Sequence, residues 1–283
     1  MKYVESEKQC DKFLNRFLLR GKKFIDYACF PYGLYNVTLK GEPDSNFVDD
    51  FQYFVFTKST KSLISIRELL RIGNIEDVFV LLRTMFEGYL ASRFIDEEYT
   101  RELLNDFIFT PQLIAARKVI YQDDKAVQRD TNELIEYIQR NPSQMKLGKD
   151  KTYFYDFYAY LCNYAHCNYS IVSCYLDEHS LFTCDKRDNA YMAKVLVLFV
   201  YTKLFESIVT VDGEDFLNKR EETECYKLVR EVTTFLYDRL DEFSKYTSKN
   251  ANDELNEHMN KLFKNMKKSL QEEIGSVKKD FLL

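Results

Sequence analysis

Tryptophan is absent from this 283-residue chain, and the residues that punctuate folds are scarce, with 8 glycines and 4 prolines. So few turn formers leave little with which to close the hairpins of a multi-stranded sheet. No Gly-x-Gly-x-x-Gly or phosphate-loop motif occurs, which removes the common nucleotide-cradling loops, and no internal repeat stands out. A basic excess is missing too: 40 lysines and arginines against 45 acidic residues give a formal net charge of −5. That argues against the broad basic footprint of a nucleic-acid binder and leaves room only for a local site. The longest apolar run, Val195 to Val200, is far too short to cross a bilayer, and Lys194 and Lys203 flank it. The opening residues MKYVESEKQC carry charges where a secretory signal needs an apolar stretch. The expectation is a cytoplasmic protein without membrane association.

What the chain does have is a large apolar fraction, 46%, rich in aromatics with 21 tyrosines and 23 phenylalanines, mostly at helical spacing. Its seven cysteines, Cys10, Cys29, Cys162, Cys167, Cys174, Cys184 and Cys225, are odd in number. They are expected to be reduced. The spacing predicts helices over Lys2 to Phe30, Phe51 to Ile72 (broken by Gly73-Asn74) and Ile75 to Asp96. A helical stretch continues over Tyr99 to Tyr121, with a bend at Pro111. Asp123 to Asp130 is polar, a short helix is predicted for Thr131 to Arg140, and Asn141 to Lys151 reads as an exposed loop. Further helices are predicted over Tyr153 to Leu176, Ala190 to Val211 (N-capped by Asp188 and ended by Asp212-Gly213) and Glu214 to Tyr246. Thr247 to Asp253 reads as a linker to an amphipathic helix over Asp253 to Lys279. Its stripe is Leu255, Met259, Leu262, Phe263, Met266, Leu270 and Ile274. The fold class is all-α, a bundle-like domain of about eight or nine helices. Residues 1–246 form one helical domain, and residues 247–283 add the linker and C-terminal helix.

Two apolar segments are interrupted by ionisable groups. Arg83 and Glu87, in VFVLLRTMFEGYLASRFI (Val78 to Ile95), are four apart and share a helix face with Val80, Leu90 and Phe94. A charge among such neighbours must be paired. One reading is a structural ion pair; the other is an arginine aimed at a phosphate, with Glu87 fixing its fork. His166 lies in FYAYLCNYAHCNYSIVSCYL, off the face formed by Phe154, Phe157, Tyr158, Leu161, Tyr164, Ala165, Val172 and Tyr175. A strip of Asp156, Asn163 and Ser170 runs beside it. A histidine there can serve as a general acid or base, or can cap an interhelical hydrogen bond. Cys162, His166, Cys167, Cys174, His179 and Cys184 crowd together, but no compact Cys-x2-Cys pair occurs, so no metal site is expected. Cys162 beside His166 is the one candidate for a nucleophilic cysteine, and no third orienting group is evident. His179 and His258 are expected to be exposed. Lys261, Lys264, Lys267 and Lys268 on the last helix read as a solvated face, or as a docking face for the body, a partner or a second copy.

LLRTMFEGYLASRFI (Leu81 to Ile95) and, about 70 residues later, FYDFYAYLCNYAHCNYS (Phe154 to Ser170) together resemble an uncharacterised bacterial helical family. That family pairs an Arg-x3-Glu helix with a later histidine-bearing helix, and the resemblance covers roughly Phe51 to Leu176. More distantly the arrangement is similar to the higher-eukaryote-and-prokaryote nucleotide-binding (HEPN) helical domains, many of them dimeric, metal-independent ribonucleases of toxin and phage-defence systems. Their motif places an arginine four to six residues before a histidine. Here no arginine stands there, so Arg83 or Arg93 would supply the cation from another helix. The resemblance implies a helical effector of bacterial defence or toxin type that cleaves RNA or binds a nucleotide without metal or cofactor. Arg83, Glu87, Asn163 and His166 would form its site. The alternative is a non-catalytic interaction or regulatory protein in which those residues knit helices together. Expected partners are RNA or a nucleotide, and a second copy or another protein through the C-terminal helix.

Overall fold

The computed structural model describes residues 2–28, 47–98, 100, 103, 105–122, 125–135, 140–148, 151, 153–166, 168–185, 190–243 and 253–280. The fold is all-α and bundle-like, with one small sheet. Its α-helices are α1 (Lys2–Ala28), α2 (Phe47–Ile72), α3 (Ile75–Glu97), α4 (Thr110–Ala115), α5 (Tyr153–Ala165), α6 (Ala190–Phe216), α7 (Lys219–Phe243) and α8 (Asp253–Asp280). The chain forms two compact units. One comprises residues 1–30, 55–89 and 150–283, the other residues 31–54 and 90–149.

The larger unit is organised around α6, whose residues from Ala193 to Phe205 are all buried. A helix apolar on every side belongs at the centre of a bundle. α1 and α7 pack along it with amphipathic faces, while α8 packs on α7 and reaches α6 through the Glu273 carboxylate. Phe17 of α1 sets its ring edge-on to Tyr201 and Phe205, 5.4 and 5.3 Å away. Each such buried ring contributes roughly 1.5–3 kcal/mol by leaving water. α7 begins where Asn218 accepts from the Glu221 backbone N–H and its amide returns to the Glu221 carboxylate, a reciprocal cap. α6 runs through Asp212 and Gly213 to Phe216, so the helix stop expected there is corrected: a glycine in a last turn costs about 1 kcal/mol and does not end a helix otherwise held by packing. The predicted N-cap Asp188 and the linker residues 247–252 lie outside the described residues.

α6 also buries two lysines. The Lys194 ammonium sits between Glu7 and Asp11 of α1, at 2.9 and 2.8 Å. Lys203 pairs with Glu273 of α8 at 2.5 Å and with Glu206 at 3.8 Å.

The smaller unit holds the sheet. β1 (Val119–Gln122), β2 (Lys125–Gln128) and β3 (Leu134–Ile135) pair antiparallel in that order, with Val119 opposite Gln128 and Val127 opposite Leu134. The helix expected to reach Tyr121 stops at Ala115: Arg117 turns with φ 55°, and Val119, Ile120 and Tyr121 suit a pleated strand. Over 131–135 the short helix expected for 131–140 is likewise replaced, and residues 136–139 lie outside the described residues. Asn132 takes φ 56°, its N–H donates to the Gln128 carbonyl, and the chain returns as β3. The loop expected to be exposed over 141–151 is exposed at Asn141, Ser143, Gln144, Lys146, Gly148 and Lys151, but is anchored at three positions between them. Asn141 caps a 3-10 turn (Pro142–Gln144), and Pro142, Met145 and Leu147 are buried. Met145 and Leu147 join Ala91, Phe94, Ile95, Leu103 and Ile108 in one core. Arg140 donates to Asp106 at 2.8 Å and lies over the Phe94 ring.

Candidate functional site

α3 and α5 of the larger unit meet through an aromatic wall. Phe86 packs on Phe157 at 4.9 Å and Phe154 at 5.9 Å, and Phe79 on Tyr164 at 4.4 Å. The Tyr160 and Tyr164 hydroxyls meet at 3.1 Å. Arg83 stands between Phe79 and Phe86 in sequence, and its guanidinium is the polar break in that wall. Nη2 donates to the Tyr158 hydroxyl at 2.7 Å, Nε to the Cys162 sulfur at 3.4 Å, and Nη1 lies 3.4 Å from the Glu87 carboxylate. The guanidinium carbon is also 5.3 Å from the Tyr158 ring centre, a cation–π distance.

The electrostatics follow from this arrangement. Partial burial works against the arginine's charge. The hydrogen bond to Cys162 and the Glu87 carboxylate outweigh it and hold the guanidinium above its ordinary value. Burial also pushes the Tyr158 phenol well up, with Glu87 adding to the effect and Arg83 opposing it. Tyr158 therefore stays a neutral hydroxyl at ordinary pH.

Of the four residues picked from the sequence, Arg83 and Glu87 pair with one another, while Asn163 and His166 make their hydrogen bonds to other residues. Asn163 accepts from the Asn168 amide at 2.7 Å, and Asn168 in turn caps a 3-10 segment (Tyr169–Tyr175) by accepting from the Ser170 N–H. This local bonding ends α5, so the single helix expected over Tyr153 to Leu176 is corrected to a helix, a turn and a 3-10 segment. The strip of Asp156, Asn163 and Ser170 breaks at the same point. His166 is the first residue beyond α5. Its backbone N–H closes the last turn on Cys162 at 3.2 Å, and its imidazole is exposed without a hydrogen bond to a described residue. Tyr169 beside it is 81% exposed.

Tyr158 and Cys162 were not singled out from the sequence as partners of Arg83. The available signal was their spacing: four apart on one helix face, in line with His166 four further on. Among the described residues no group of three or more potential ligands could hold a metal ion. Cys167 lies outside the described residues. Burial pushes the Cys10 and Cys225 thiols up to about 12 and about 11, as expected for thiols serving as small core side chains. His179 and His258 are exposed, as expected.

The segment carrying both motifs has a counterpart among known proteins. Residues 53–182 match the model of a family of unknown function, DUF5677. The match begins in α2 and ends past the 3-10 segment, so it takes in Arg83, Glu87, Tyr158, Cys162, Asn163 and His166. It agrees with the stretch over which the sequence resembles an uncharacterised helical family. No curated protein and no solved structure matches the chain. Among the described residues no helix is long and apolar enough to cross a membrane.

Proposed function

We propose that the protein is a helical effector of defence or toxin type that engages RNA or a nucleotide phosphate at the Arg83 cluster. The observation that carries this reading is the order of residues along α5 and just beyond its end. Arg83 grips Tyr158 and Cys162, and just past the end of α5, its backbone N–H bonded to the Cys162 carbonyl, stands His166, exposed and without a side-chain hydrogen bond to a described residue. Arg83 uses three of its five N–H donors on these partners and Glu87, leaving donors for a phosphate oxygen. His166 would take the proton of a ribose 2′-hydroxyl as its oxygen bonds to phosphorus and the P–O5′ bond breaks; the leaving 5′-oxygen takes a proton from water, giving a 2′,3′-cyclic phosphate and a 5′-hydroxyl, with Arg83 countering the charge that develops on the phosphoryl oxygens. The exposed Tyr169 ring offers a base a stacking surface. Likeness to HEPN domains is part of this proposal.

The test is incubation of the purified protein and of His166→Ala with total RNA and with a synthetic single-stranded RNA. Cleavage by the wild type, lost in His166→Ala, is expected. Equally intact RNA in both would remove the nuclease reading.

A second reading has its own observation. Arg83 already has three polar partners and a ring, which is how a purely structural clamp is built. On that reading the protein is a non-catalytic interaction or regulatory module. Arg83→Ala would then lower stability and leave any RNA affinity unchanged.

A further inference from the structure

The C-terminal helix α8 is fastened to its unit by more than an apolar stripe. Leu262, Phe263, Met266 and Leu270 bury its inner face, and Phe263 meets Phe243 of α7 at 5.5 Å. Three ion pairs then reach three different parts of the unit. Lys267 pairs with Asp241 of α7, Lys151 ahead of α5 pairs with Glu272 at 2.5 Å, and Lys203 of α6 pairs with Glu273 at 2.5 Å. The Lys151–Glu272 pair is half-exposed and contributes little. Lys203 differs, because its side chain is only 7% exposed. The groups facing it are Glu206 from α6, Glu273 from α8, Tyr153 from α5 and Tyr89 from α3. An ammonium so placed needs its carboxylates, and α8 supplies the nearer one.

A buried ion pair adds little net stability over an apolar contact of the same shape, since both charges regain water when they part. It does make docking specific, and it makes undocking less costly than parting a wholly apolar seam. The same helix holds the start of α5. The buried Tyr153 lies beside Ser269 and Glu273 of α8, and the half-exposed Lys151–Glu272 pair adds little to that contact. α5 is 13 residues long, and its later turns carry Tyr158 and Cys162.

We propose that α8 is a releasable clamp on α5, locked by the Lys203–Glu273 ion pair, and that its release loosens the grip of Tyr158 and Cys162 on Arg83. The proposal stands apart from the RNA reading, because its readouts involve no ligand.

The test is amide hydrogen exchange on the full chain, read by mass spectrometry at one pH, for wild type, Glu273→Gln and the triple variant Lys203→Met/Glu206→Gln/Glu273→Gln. The rate of Cys162 alkylation by iodoacetamide is followed alongside. Glu273→Gln is expected to speed exchange over 253–280 and the first turns of α5 by at least about ten-fold. It should also hasten Cys162 alkylation and leave α1 amides as protected as before. The triple variant removes the ammonium together with both carboxylates that face it and should return protection toward wild type. The proposal is overturned if α8 amides stay as slow as wild type in Glu273→Gln, or speed up in step with α1. It is equally overturned if the triple variant stays as labile as the single one, or if Cys162 alkylation ignores α8 opening.

Discussion

Arg83 keeps its charge between Phe79 and Phe86 because groups of three kinds share its fork: a phenol, a thiol and a carboxylate. A planar guanidinium can serve all three at once, whereas an ammonium on a flexible stem cannot reproduce the geometry. Arg83→Lys is therefore expected to cost about 1–2 kcal/mol in urea unfolding, the scale of one or two partly buried hydrogen bonds left unmade. Glu87 sits at the wetter end of the cluster, with 35% of its side chain exposed. Glu87→Gln should shift the unfolding free energy by less than about 0.5 kcal/mol. A Glu87→Gln effect as large as that of Arg83→Lys would show the carboxylate, not the phenol and thiol, to be the main anchor.

At the scale of elements, α3 can lie close against α2 because Gly88 leaves room. A Cβ there would come within 2.9 Å of the Val55 side chain. Gly88→Ala should raise the helix propensity of α3 yet destabilise the protein by about 1–3 kcal/mol, because the overpacking outweighs the gain. A neutral or stabilising result in thermal unfolding would contradict the packing described. The same scale shows what could be read from the sequence. α1, α2, α3, α6, α7 and α8 were legible because long runs of apolar residues at helical spacing admit one interpretation. The hairpin was not, since Val119 to Tyr121 form a short apolar run that reads equally as the end of a helix, and no Asn-Gly or Gly-Gly turn marks the pairing with Ala126 and Val127. The break in α5 was not, because it depends on Asn168 bonding to Asn163 and Ser170 rather than on any glycine or proline. For the candidate site, the Arg83–Glu87 pairing followed from their spacing of four. The match of Arg83 to Tyr158 and Cys162 joins residues about 75 positions apart, which no local pattern encodes.

At the scale of the molecule, its response to alkali follows from what is buried. Lys203 and Lys194 hold their protons more tightly when folded, since their carboxylate partners outweigh burial. Burial does the same to the phenols of Tyr153, Tyr164 and Tyr201. In each case the folded value lies above the unfolded one. The stability they contribute is complete below the unfolded values, near about 10, and is lost as pH rises through the folded ones. The urea midpoint should be insensitive to these groups at pH 7 and fall steeply above about pH 10. In Lys203→Met the fall should be shallower. In an absorbance titration several tyrosines should ionise only as the protein unfolds, and ionisation of every tyrosine near its free value in the folded state would contradict the burial described.

The central claim is that Arg83, backed by Tyr158 and Cys162 and followed by His166, forms a phosphate-recognising site. Its most direct test is the affinity of a fluorescently labelled single-stranded RNA, measured by anisotropy at fixed salt, for wild type, Arg83→Lys and His166→Ala. The account predicts saturable binding by the wild type. Arg83→Lys should weaken it by about ten-fold or more, through loss of a planar donor fork, with less effect from His166→Ala. Equal affinity in all three proteins, or no binding by the wild type, would contradict it.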